Sequence, residues 1–168
     1  PCVRLEQRDQ RLKRILDPLR ASFDYIFLDS PPSLGLLTLN ALGAAHFVLV
    51  PLQAEYYSLE GLSGLLNTIA FTQQTFNPKL DLLGVFLTMY DSRTRLSVQV
   101  HEEAEKHFAA KLFKAKIPRN IRLSECPSHG MPICTYDPQS AGAKSYLALA
   151  GELIDRLGID KGGTARAA

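Results

Sequence analysis

Tyr25-Ile26-Phe27-Leu28-Asp29-Ser30-Pro31-Pro32-Ser33 decides the reading of this chain. An apolar run ends in one carboxylate, and a doubled proline stops it there. A non-alternating apolar run is the pattern of a strand buried on both faces of a parallel sheet. Asp29 then stands at the carboxyl edge of that sheet, where ligands of open α/β folds bind. Pro31 and Pro32 fix φ and remove two backbone donors, so the exit from the strand is stiff. An acid here is also an ordinary turn former or helix N-cap. Ser30 and Ser33 can do that capping, which leaves Asp29 for other work.

Outward from this strand the pattern alternates. Leu5, Leu12, Ile15, Leu16 and Leu19 recur at helical spacing and predict an amphipathic helix over 5–20. Residues 34–45 read as a mostly buried helix, and 47–50 as an apolar strand closed by Pro51. A longer helix covers 59–76 and ends at Asn77-Pro78. A third apolar strand spans 82–88, an amphipathic helix 96–110, and a short strand 111–117 stops at Pro118. Residues 119–140 are proline-rich and irregular. A last helix covers 141–157. The small, polar tail, 158–168, is expected to be disordered. Strands and helices in alternation predict an α/β fold, a parallel sheet with helices on both faces.

At 168 residues, 46% of them hydrophobic, the chain is long enough for one domain with a real core. No run of 18 apolar residues predicts a membrane span. The start, Pro1-Cys2-Val3-Arg4, has no signal pattern. It also lacks a Met, so the chain is expected to begin inside a longer reading frame and to be soluble and intracellular. Cys2, Cys126 and Cys134 form no CxxC pair and read as reduced thiols. His101 and His107 point about 240° apart around a helix, too far to share a metal. Net charge is only +2, but residues 93–122 hold eight Lys/Arg against three acids. Such a local excess suits a polyanion, or a solvated helix face.

Six motifs follow one another: Asp29-Ser-Pro-Pro-Ser-Leu-Gly35, Thr38-Leu-Asn-Ala-Leu42, Val50-Pro-Leu-Gln-Ala-Glu-Tyr-Tyr-Ser-Leu-Glu-Gly61, Leu87-Thr-Met-Tyr-Asp-Ser-Arg-Thr94, Ile117-Pro-Arg-Asn-Ile-Arg-Leu-Ser-Glu125 and Tyr136-Asp-Pro-Gln-Ser-Ala-Gly-Ala143. In that order and spacing the chain, from about residue 12 to 157, resembles the C-terminal two-thirds of a ParA-type (Soj-like) partition ATPase, in the MinD-related branch of P-loop proteins. The resemblance implies an incomplete ATPase domain over 1–157 with ATP and Mg²⁺ as cofactors. It implies that Asp29 matches the Walker B carboxylate, which holds Mg²⁺ through water. Pro31, Pro32 and their neighbours match switch II, which senses the γ-phosphate. Thr88 and Met89, with Pro118, Arg119 and Asn120, match loops around the adenine. Gln53 and Glu55 match the face between two ATP-bound protomers of a homodimer. Arg93 and Arg122 match surface arginines for non-specific double-stranded DNA. A ParB-type partner protein and a cytoplasmic, nucleoid-associated place are implied as well.

The departure from the family is the phosphate loop. Its Gly-rich, doubly lysine-bearing Walker A segment has no counterpart here, and neither does switch I. Gly142-Ala143-Lys144-Ser145 and Lys161-Gly162-Gly163-Thr164 lack the preceding strand such a loop needs. Without the phosphate-loop strand, the strands at 25–29 and 82–88 are expected to have unpaired edges, leaving this chain weakly stable or self-associating. ATP turnover by this chain alone is therefore not expected. The alternative is a catalytically dead module that keeps the DNA and partner surfaces. A flavodoxin-like binder would need all six motifs to be coincidence. The last helix is followed by Gly-Gly-Thr-Ala-Arg-Ala-Ala, not by a basic amphipathic stretch, which argues against a MinD-like membrane anchor.

Overall fold

The computed structural model describes residues 10–31, 35–55 and 58–158. The start of the predicted first helix, Cys2, Pro32, Ser33 and residues 159–168 of the tail lie outside them. The elements are α1 (Arg11–Leu16), α2 (Leu36–Ala44), β1 (Phe47–Gln53), α3 (Ser58–Thr75), β2 (Asp81–Thr88), α4 (Arg95–Phe108), α5 (Ile121–Glu125), α6 (Ile133–Tyr136) and α7 (Ala141–Arg156). Short 3-10 turns follow α1, α4 and α5.

β1 and β2 pair. His46 carbonyl accepts from Asp81 N–H and Thr88 carbonyl from Ala54 N–H, both at 3.0 Å. The bonds advance from 46 to 54 on β1 and from 81 to 88 on β2, so the strands are parallel. β1 runs on through Pro51, where the expected strand stopped: Ala54 N–H bonds to β2, so by alternation the position of the missing Pro51 N–H faces away from β2. The predicted strand at 111–117 is reduced to two parallel bridges to β2, Val85 with Leu112 and Tyr90 with Pro118. Phe113 and Ile117 donate to Val85 and Leu87 carbonyls at 2.8 Å.

One prediction is corrected. Residues 25–29 form no ladder among the described residues, and Phe27 is 75% exposed. The apolar pattern favours a strand, but a strand exists only where a second backbone takes its donors and acceptors. The predicted helix at 5–20 is also shorter in its described part: α1 ends at Leu16 and a 3-10 turn, Asp17–Leu19, follows.

Two compact units divide the chain: Pro1–Val48 with Gly61–Leu82, and Leu49–Glu60 with Leu83–Ala168. In the first, Leu42, Ile69 and Leu80 form the core. The Asn77 side chain donates to Leu42 and Ala45 carbonyls, both at 2.8 Å, and so closes the end of α2. In the second unit, Phe86, Phe113, Ile117 and Leu149 form the main core and Cys126, Ile133 and Ala143 a smaller one. Thr94 and Ser140 cap α4 and α7 by accepting from Ser97 and Ala143 N–H groups. α7 closes on Leu123 at Gly142, where an added Cβ would lie 2.7 Å from Leu123 Cγ.

A side-chain clamp ties α7 to the bridged segment. Glu152 accepts from Lys114 and Ala115 N–H groups. Arg156 donates to Leu83, Lys111 and Leu112 carbonyls and to Glu152, and its guanidinium lies 3.7 Å over the Phe113 ring.

Candidate functional site

The carboxyl ends of the parallel segments in the second unit carry most of the candidate residues. β1 ends at Gln53, Ala54 and Glu55. β2 ends at Thr88, Met89 and Tyr90. The bridged segment ends at Pro118, Arg119 and Asn120. Backbone bonds hold these ends together: Ala54 N–H to Thr88 carbonyl at 3.0 Å, Tyr90 N–H to Ile117 carbonyl at 3.0 Å, and Arg119 N–H to Tyr90 carbonyl at 3.3 Å.

Met89 lies between two of those bonds. The residue before it is tied to β1 and the residue after it to the bridged segment. The chain therefore turns at Met89 itself, in the left-handed region at φ 51°. A non-glycine residue there stores strain, and such strain gathers at ligand-facing sites. Asn120 caps α5 by accepting from Arg122 N–H at 2.9 Å.

Charged groups ring this edge. Arg119 Nη2 lies 3.2 Å from Glu55 Oε1, joining the loop expected at the adenine to the residue expected at the dimer face. Arg93 makes a fork to Asp91, through Nε at 2.9 Å and Nη2 at 2.7 Å. The Arg93 side-chain and backbone donors hold the Asp91 carboxyl down at about 2. Arg122 pairs with Glu125 at 2.9 Å and with Asp137 at 3.3 Å. Lys116 Nζ sits 4.8 Å over the Tyr90 ring, which meets His101 edge-on.

Asp29 and Pro31 belong to the first unit. Asp29 is exposed and makes no hydrogen bond or ion pair with the described residues. Pro31 carbonyl accepts from Thr38 Oγ1 at 3.5 Å, which ties the strand exit to α2. Among the described residues no three His, Cys, Asp or Glu side chains gather as a metal site. Mg²⁺ is commonly held by one or two carboxylates together with phosphate oxygens and water, so an exposed Asp29 with no partner among the described residues fits that ion. No helix among the described residues is long and apolar enough to cross a membrane.

A family profile described as an AAA domain matches residues 2–82. The sporulation initiation inhibitor protein Soj of Bacillus subtilis is 56% identical over 146 residues, 87% of this chain and 58% of that protein. The chromosome partitioning protein ParA of Myxococcus xanthus is 54% identical over 154 residues, 92% of this chain and 54% of that protein. Along most of its own length the chain is similar to these ParA and Soj proteins. It spans between 54% and 58% of the length of these two relatives. Among solved structures, cobyrinic acid a,c-diamide synthase from Mycobacterium smegmatis with bound ATP analogue and magnesium superposes with a TM-score of 0.76 at 35% identity. That match covers 99% of this chain and 60% of the other. It supports the P-loop type of α/β fold for this chain.

Sequence reasoning missed Asp91, Ser97, Glu125 and Asp137. Ser97 is buried, and its hydroxyl lies 3.5 Å from Ala54 carbonyl and 3.4 Å from Asp91 N. A signal for Asp91 was present in Asp91-Ser-Arg-Thr94. An aspartate followed two residues later by an amide it can accept from is an Asx turn, and here that amide belongs to Arg93 at 3.0 Å.

Proposed function

We propose that this chain serves in a ParA-type ATPase of chromosome or plasmid segregation. That protein would bind ATP with Mg²⁺, dimerise when loaded, bind double-stranded DNA without sequence preference, and answer to a ParB-type partner. The carrying observation is the junction of three sequence-distant segments, 53–55, 88–90 and 117–120, at one set of strand ends, where open α/β sheets take their ligands. Identity of about half to Soj and ParA proteins over most of the chain supports it.

Each residue has a role in this reading. Thr88, Met89, Pro118, Arg119 and Asn120 would surround the base, with Met89 setting the direction of the loop. Asp29 would hold the metal through water, and Pro31 would report on the phosphates from a stiff strand exit. Mg²⁺, when bound, supplies neutralisation of phosphate charge. Glu55 and Gln53 would face a second protomer. The Arg119–Glu55 pair makes the base loop and that face neighbours. Arg93 and Arg122, both exposed, would meet DNA phosphates. Much of the affinity for DNA of any sequence comes from phosphate neutralisation and counterion release.

Calorimetry tests this reading. The chain is titrated with ATP and Mg²⁺ alone and joined to the phosphate-loop segment of the Bacillus Soj protein. Binding by the joined protein, lost or at least tenfold weaker in its Asp29→Asn form, is the expected result. If the joined protein does not bind, the ATPase reading fails and the DNA-binding module is the better description.

A further inference from the structure

Both candidate DNA arginines already hold an anion. Arg93 is the clearer case. Its fork closes on Asp91 at 2.7 and 2.9 Å, yet its side chain is 88% exposed. Asp91 is built into the loop. Its side chain is only 23% exposed, its Oδ1 also accepts from the Arg93 backbone at 3.0 Å, and its carbonyl accepts from the Thr94 N–H and hydroxyl. The carboxylate is fixed and the guanidinium is the partner able to leave.

Arg122 repeats the arrangement on α5. Glu125 takes its Nη1 at 2.9 Å and Asp137 meets its Nε at 3.3 Å. Glu125 is itself held by the Tyr136 hydroxyl at 3.3 Å, and the Tyr136 ring stacks on His129. Here Glu125 is anchored from outside the pair, and the arginine side chain remains 54% exposed.

We propose that Asp91 and the Glu125–Asp137 pair are built-in competitors for phosphate that keep the DNA affinity of this face low. The proposal rests on the DNA reading given above. An arginine bound to a protein carboxylate releases no salt anion when it moves to a phosphate, so part of the counterion-release gain is absent. The abandoned carboxylate also stays nearby and repels the incoming phosphate. Asp91 stays ionised far into acid, because Arg93 holds its carboxyl at about 2.

The test is fluorescence anisotropy of the 168-residue chain with a duplex of scrambled sequence, over a series of salt concentrations. Asp91→Asn keeps the side-chain oxygen that accepts from Arg93 N–H and removes only the charge. It should bind roughly threefold tighter at low salt, the usual size of an exposed pair, with a steeper salt dependence. Asp137→Asn should act in the same direction through Arg122 and provides a second, independent variant. The gain from Asp91→Asn should shrink in an Arg93→Gln background.

If Arg93→Gln and Arg122→Gln weaken binding but neither Asn variant strengthens it, the competitor proposal is overturned and the DNA reading stands. An equal gain from Asp91→Asn in the parent and in the Arg93→Gln background also overturns it, because general charge would then explain the effect. If neither Gln variant changes binding, the DNA reading fails, and the competitor proposal fails with it.

Discussion

Gly84 gives a stability test that depends on closely placed atoms. A Cβ at this position would lie 2.3 Å from Lys111 carbonyl oxygen, 2.6 Å from Phe113 Cε2 and 2.7 Å from Arg156 Nη1. The nearest atom is backbone, so no rotamer change relieves the clash. The 111–113 segment would have to retreat by about 1 Å to restore van der Waals contact. That retreat lengthens the 2.8 Å bond from Phe113 N–H to Val85 carbonyl and pulls Lys111 away from Arg156. Overpacking costs about 1–3 kcal/mol. Weakening a charged hydrogen bond adds about 1.5–3 kcal/mol. Lower chain entropy in the unfolded state returns about 0.5–1 kcal/mol on replacing a strand glycine by alanine. Gly84→Ala should therefore destabilise by about 3 kcal/mol, read as a lower urea midpoint. Gly151→Ala is the control. It lies in α7 with nothing within 4 Å of its added Cβ, and should stabilise by about 1 kcal/mol. A Gly84→Ala protein within about 0.5 kcal/mol of the parent, with unchanged packing, would refute the reasoning.

Two further perturbations address other parts of the second unit. Met89→Val puts a β-branched side chain at positive φ and should cost about 2 kcal/mol, whereas Met89→Gly should be at least as stable as the parent. The reverse order in urea unfolding would mean that Met89 is not strained. Burial pushes the Glu152 carboxyl up, but Lys114 and Ala115 N–H groups and Arg156 together bring it below its ordinary value of 4.5. A carboxyl depressed in the folded state stabilises above its unfolded value, and that stability is lost as pH falls through the folded one. The parent should lose stability between about pH 5 and the lower folded value, and Glu152→Gln should lose less over the same range. An identical acid profile for both proteins would remove Glu152 from the account.

The helices were legible where length and caps coincided. α3, α4 and α7 each run for more than three turns, long enough for a period to show, and Thr94 and Ser140 mark two of their starts. β1 and β2 were legible from their apolar stretches, read at 47–50 and 82–88, while the continuation of β1 through Pro51 to Gln53 was not. Residues 25–29 have the same pattern, but no pattern names the partner that a strand requires. The region 119–140 read as irregular because α5 and α6 are five and four residues long, too short to display a period. The site was legible as motifs and not as pairings. Glu55 and Arg119 are 64 residues apart in sequence, and only the strand ends bring them together. Met89 was legible as part of a loop, but its left-handed backbone follows from bonds made by its two neighbours.

The clamp from α7 has a meaning for solubility as well as for packing. A sheet edge with free amides and carbonyls invites another chain to pair with it. Along residues 111–115 that invitation is withdrawn by two side chains. Glu152 occupies the Lys114 and Ala115 amides, and Arg156 the Lys111 and Leu112 carbonyls. A helix thus closes this margin with charged groups, without adding a strand. Truncating Glu152 and Arg156 together would reopen it, and concentration-dependent association through this margin would be the consequence, separate from any loss of fold.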